Sequence, residues 1–168
     1  MNNSLFKNSA ERTTRFLADA LLLCAGFFAV SWVLNMLGVF VIPKTAFTIV
    51  AFADAVIFCV PKMCLTVLKK YEEWVKYCVI ICTTLAICLA YSVLTYHITM
   101  LFAFPLIISV MYFDTNLTIF TTIESAFFMT AGHILSLFLC VMEDEPLQGA
   151  RSVILYGLLP KLFIFCVF

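Results

Sequence analysis

Residues 17–38, LADALLLCAGFFAVSWVLNMLG, decide the fold, because the run holds a single charge, Asp19, and no proline. A helix rising about 1.5 Å per residue needs roughly 20 such residues to cross about 30 Å of hydrocarbon. The stretch therefore reads as a membrane span, and the rest of the chain repeats its character. Over 168 residues the composition is 64% hydrophobic and 12% charged, with a mean hydropathy of +1.10. An ordinary soluble domain is about half apolar and about a quarter charged, and near this size it leaves roughly a third of its unfolded surface in water. Lipid has to take the excess apolar surface.

Six spans are expected, at about 17–38, 45–65, 75–94, 96–113, 117–141 and 152–168, forming one all-α integral membrane bundle over residues 1–168. The polar knot Lys69-Lys70-Tyr71-Glu72-Glu73-Trp74 separates the second and third, and Thr95, Tyr96 and His97 join the third and fourth in a tight hairpin. Lys and Arg in short loops are retained on the cytoplasmic side during insertion. Lys7, Arg12, Arg15, Lys62, Lys69, Lys70 and Lys76 fall on one side, against Lys44 and Arg151 on the other. Both termini are thus expected in the cytoplasm of a multi-pass protein of the cell membrane. The basic amino-terminal region leads into an apolar run too long for a signal-peptide core, so no cleavable leader is expected.

Ionisable side chains inside the bilayer cost at least ~2.5 kcal/mol each at a helix centre, so each is a functional candidate. Asp54 and Lys161 each lie nine residues from the exterior start of their spans, about 14 Å deep by helical rise. An ion pair between them would offset part of both costs. A ligand-facing or titrating Asp54, and a Lys161 that snorkels or meets a water-filled cleft, are the alternatives. Glu124 and His133 are nine residues apart on the fifth span, which is half a revolution beyond two full turns, so they point to opposite faces. His97 and His133 both belong to the outer half of the membrane and meet if the fourth and fifth spans pack together. Two histidines without a third ligand do not make a metal centre. Asn35 is deep enough to bond across helices. Trp32, Trp74, Tyr71, Tyr77 and Tyr112 fall at expected boundaries, as aromatic belts do. Pro61, Pro105 and Pro160 are expected to kink or end helices.

The eight cysteines lie in or beside apolar stretches and form no CxxC pair, so they read as reduced, packing residues. Cys78 and Cys82, one helical turn apart, are the pair to watch. No P-loop, GxSxG, HExxH or kinase signature is present, so no catalytic residue, cofactor or metal is expected within the chain. The net charge is zero, which gives no field to hold nucleic acid.

The passage Phe104-Pro105-Leu106-Ile107-Ile108-Ser109-Val110-Met111-Tyr112-Phe113-Asp114, followed by Leu117-Thr118-Ile119-Phe120-Thr121-Thr122, resembles the membrane input regions of bacterial signalling proteins, especially in Firmicutes. Those regions precede GGDEF diguanylate cyclase, SpoIIE-like serine phosphatase or histidine kinase outputs. The resemblance implies a sensory or anchoring module that relays a signal to a cytoplasmic output domain or partner protein, alone or as a homodimer. Any enzymatic activity would then lie in a domain after Phe168, which the unfinished sixth span would reach. The alternative expectation is a small transporter or channel subunit with a polar path through Asp54, Glu124 and His133.

Overall fold

The computed structural model describes residues 2–39, 42–68, 73–94 and 100–138, and these residues form five helices and no strand. The helices are α1 (Asn2–Met36), α2 (Lys44–Leu68), α3 (Trp74–Leu94), α4 (Ala103–Val110) and α5 (Thr115–Phe138). Three of them are long and apolar enough to cross a membrane: residues 8–36 of α1, residues 44–67 of α2, and α3. The all-helical class read from composition therefore holds, with three of the six expected spans represented by helices of spanning length and apolarity among the described residues. The sixth expected span, 152–168, lies outside the described residues.

Two spans differ from their expected form. Helix α1 begins well before residue 17, because the polar leader continues the same helix and Arg15 braces it by bonding Glu11 one turn back at 2.9 Å. It stops at Gly38, whose φ of +80° supplies the left-handed closing residue. Val39 N–H then reaches the Leu34 carbonyl at 3.1 Å and Gly38 N–H that of Asn35 at 3.0 Å, the two bonds of a Schellman ending. Of the fourth expected span, 96–113, the described part from residue 100 is a 3₁₀ turn at residues 100–102 followed by the eight residues of α4. Eleven helical residues rise about 16 Å, half the hydrocarbon thickness. Pro105 occupies the first turn of α4, where its missing N–H costs no bond. At the other end Phe113 takes a φ of 52° and Asp114 starts the next helix, its Oδ1 accepting the Asn116 and Leu117 N–H groups at 3.0 and 3.3 Å. Helix α5 is long enough to span, at 24 residues, but its threonines, Glu124 and His133 hold it below the apolarity of the other three.

Pro61 does not end α2, which runs on to Leu68. The buried positions of α2 repeat at helical spacing: Phe47, Val50, Ala51, Asp54, Phe58, Pro61 and Leu65. Helix α3 lies at the centre and packs against each of the other four. One apolar cluster joins all five helices through Leu17, Leu21, Phe58, Val79, Ile80, Ile108 and Leu117.

The basic ends of the helices are tied by polar bonds. Lys62 of α2 pairs with Asp19 of α1, and Lys76 of α3 pairs with Asp114 at 2.6 Å. Tyr112 is buried and shares a 3.1 Å hydrogen bond with Thr14 of α1, so it clasps the bundle instead of joining an interfacial belt. At the opposite end Trp32 donates to Thr48 at 3.0 Å across the α1–α2 hairpin, the boundary position expected of it.

Candidate functional site

Most buried hydroxyls of this bundle are satisfied locally. Thr83, Thr84 and Thr121 each donate to the carbonyl four residues back, and Ser92, Ser109 and Ser136 to the one three back. The carboxyl groups of Asp54 and Glu124 are different. Both residues are buried, Asp54 at 0% exposure and Glu124 at 8%, and none of their four oxygens has a hydrogen-bond partner among the described residues. Ser125 Oγ and both polar atoms of the Asn35 side chain share that condition, so Asn35 makes no interhelical bond among the described residues.

Helix α3 brings the two carboxyls to a common surface. Thr84, Cys88 and Tyr91 recur at i, i+4 and i+7, which places them along one face. Glu124 of α5 lies beside Thr84 on that face, in the half nearer the basic end. Asp54 of α2 lies on the side of Cys88, one turn further along. Next comes Tyr91, whose hydroxyl shares a 2.6 Å hydrogen bond with Nδ1 of His133. The two rings stack, with centroids 5.3 Å apart and planes inclined by 23°, and Phe102 meets the other side of Tyr91 edge-on at 5.5 Å. By helical rise, Glu124, Asp54 and His133 are spread over about 13 Å of the bundle's length.

Gly132 makes this convergence possible. A Cβ at that position would stand 3.0 Å from the Tyr91 ring, 3.2 Å from the Cys88 carbonyl oxygen and 3.3 Å from the Cys88 sulfur. Only a residue without a side chain lets α5 approach α3 this closely, a packing device common between membrane helices. The half-turn between Glu124 and His133 holds, yet both are buried. Leu117, Thr121, Ser125, Met129, Gly132 and Ser136 fill the arc between them, so the buried face of α5 is half a cylinder wide.

The other sequence candidates, Lys161 and His97, lie outside the described residues, and with them the Asp54–Lys161 pair and the His97–His133 contact. Sequence reasoning missed Thr84, Cys88, Tyr91 and Gly132. Their signals were a polar or small residue every turn along the third span, and a glycine directly before a buried histidine. Among the described residues no group of three or more His, Cys, Asp or Glu is placed to hold a metal ion. What the arrangement can do is accept positive charge: an unpartnered carboxylate in a dry interior carries a cost that a proton or a small cation removes.

No family model, curated protein or solved structure matches the chain.

Proposed function

We infer that the chain is a multi-pass protein of the cell membrane, with its amino terminus in the cytoplasm, that works by taking up protons or small monovalent cations at Asp54 and Glu124. The observation that carries this reading is the pair of buried, partnerless carboxyl groups set against one face of α3. Tyr91 and His133 extend the same face toward the outer surface, and a hydrogen-bonded phenol–imidazole pair can receive and release a proton. The close α3–α5 approach at Gly132 leaves no room for a bulky solute, which favours protons and small ions as cargo. This is the transporter or channel reading, with the path running through Glu124, Asp54 and His133.

Reconstitution of the full chain in liposomes tests it. A pH or sodium gradient should collapse faster with the protein present, and Asp54→Asn and Glu124→Gln should each abolish the effect. A wild-type protein that leaves both gradients at the rate of empty liposomes ends the transport reading.

A sensory role draws on a separate observation. The clasps Asp19–Lys62, Thr14–Tyr112 and Lys76–Asp114 tie α1, α2, α3 and the α4–α5 turn at the basic end, the end expected to face the cytoplasm. Charge uptake beside α3 would be felt by every helix packed on it, and through those clasps by a cytoplasmic partner or output domain. The non-enzymatic signalling module implied by the sequence resemblance is compatible with this geometry. A pH-dependent distance between spin labels at the basic ends of α1 and α3, absent from the Asp54→Asn variant, would support it.

A further inference from the structure

Asn35 is a buried polar residue to which the carboxyl site gives no role. Its side chain is fully buried, and neither Oδ1 nor Nδ2 has a hydrogen-bond partner among the described residues. It follows Leu17 by about five helical turns, so it lies on the inward stripe of α1 and not on the lipid face. The Trp32–Thr48 bond at one end and the Asp19–Lys62 pair at the other fix the register of α1 against α2. They set Asp54 level with residues 26–27 of α1, which puts Asn35 about 13 Å nearer the end opposite the basic one. Apolar packing closes the other approaches to Asp54. On its basic side Phe28 meets Phe58 with ring centroids 5.8 Å apart, and Leu17, Leu21, Val79 and Ile80 continue the plug. On its outer side α2 and α3 close together through Phe47, Val50 and Val93. Along α1 the same half carries Asn35 and, one turn inward on the same face, half-buried Ser31.

We propose that Asn35 binds a water molecule that forms the outer access to Asp54, passing protons or a small hydrated cation inward past Ser31. The access role rests on the charge-uptake reading of Asp54. A carboxamide presents two donor hydrogens and an acceptor oxygen. A bare cation satisfies the oxygen alone and an anion the amide hydrogens alone, whereas water donates to one and accepts from the other. Buried donors and acceptors left without a protein partner are the groups that ordered water serves. Beyond Asp19 on α1 and Lys76 on α3 these two helices carry no charged residue. Their other titratable groups in that stretch are the thiols and phenols of Cys24, Tyr77, Cys78, Cys82, Cys88 and Tyr91, so Asp54 is the charge this route serves.

Two measurements on the full chain in lipid test the assignment. With nitrogen-15 asparagine labelling, solid-state NMR polarisation transfer from water should reach the side-chain amide signal that Asn35→Leu removes. In time-resolved infrared spectroscopy after a pH step, the carboxyl component lost in Asp54→Asn should respond about tenfold more slowly in Asn35→Leu, the factor in rate that one lost hydrogen bond makes, while the Glu124 component keeps its rate. Asn35→Ser, which keeps a donor and an acceptor, should stay within about twofold of the wild type. An Asn35 amide that water does not reach overturns the proposal, and so does an Asp54 response that Asn35→Leu leaves unchanged. A wild type with no carboxyl response ends the uptake reading and the access role with it, and the water signal at Asn35 then tells that failure from the other.

Discussion

Helices α1 and α3 are equally apolar and live in opposite surroundings. Their most apolar windows have mean hydropathies of 2.1 and 2.2, yet 17% of that window is buried in α1 and 67% in α3. Helix α1 presents Phe16, Leu23, Phe27 and Val30 outward and buries a narrow stripe of Thr14, Leu17, Ala18 and Leu21. Helix α3 buries Cys82, Thr83, Thr84, Ala86, Cys88, Ala90 and Ser92, small residues that let neighbours close in from several sides. Hydropathy thus reports that a segment suits lipid, whereas side-chain size reports whether it meets lipid or protein. The buried carboxyls follow the second quantity, because those of α2 and α5 both face α3.

Matched glycines test this contrast most severely. Gly132→Ala pushes a methyl against the Tyr91 ring and the rigid Cys88 carbonyl, and should cost about 1–3 kcal/mol of stability. Gly26→Ala, on α1 with nothing within 4 Å, should be neutral or stabilising by up to about 1 kcal/mol, because alanine is the better helix former. Denaturant unfolding of the two variants in detergent micelles compares them directly. Equal effects would mean that α5 does not press on α3.

A smaller effect is expected where α3 meets the basic-end clasp. The Lys76 ammonium beside Asp114, with the Leu117 and Asn116 N–H groups adding to it, holds the Asp114 carboxyl below the usual carboxylate range. A depressed folded-state value means the stabilisation is full above the unfolded pKa of about 3.9 and is lost as pH falls through the lower folded value. Acidification below about pH 4 should therefore weaken the wild type more than Asp114→Asn. At neutral pH Asp114→Ala, which also removes the cap of α5, should cost about 1 kcal/mol. Thermal unfolding across that pH range measures both.

Much of this was legible from residues alone. Asp54 stood out as a charge about 14 Å deep in a span, but that it lies on the packed face of α2 with Phe47, Val50, Ala51 and Phe58 is seen only in the structure. The Cys78–Cys82 proximity, 4.0 Å between sulfurs, follows from one helical turn. Packing between helices is not encoded in hydropathy, so the spacing of Glu124 and His133 fixed their angle without revealing that α5 buries half its circumference. The fourth span was overestimated because an apolar run records suitability for lipid, whereas the length of α4 is set by Pro105 at one end and the Phe113–Asp114 turn at the other.

The central claim is that Asp54 and Glu124 are the groups that take up positive charge inside this bundle. Infrared difference spectroscopy on the lipid-reconstituted chain, recorded as pH or sodium is stepped, observes carboxyl groups directly. The account predicts a carboxyl signal that responds to the step and loses one component in Asp54→Asn and a second in Glu124→Gln. A signal that is identical in the wild type and both variants would contradict it.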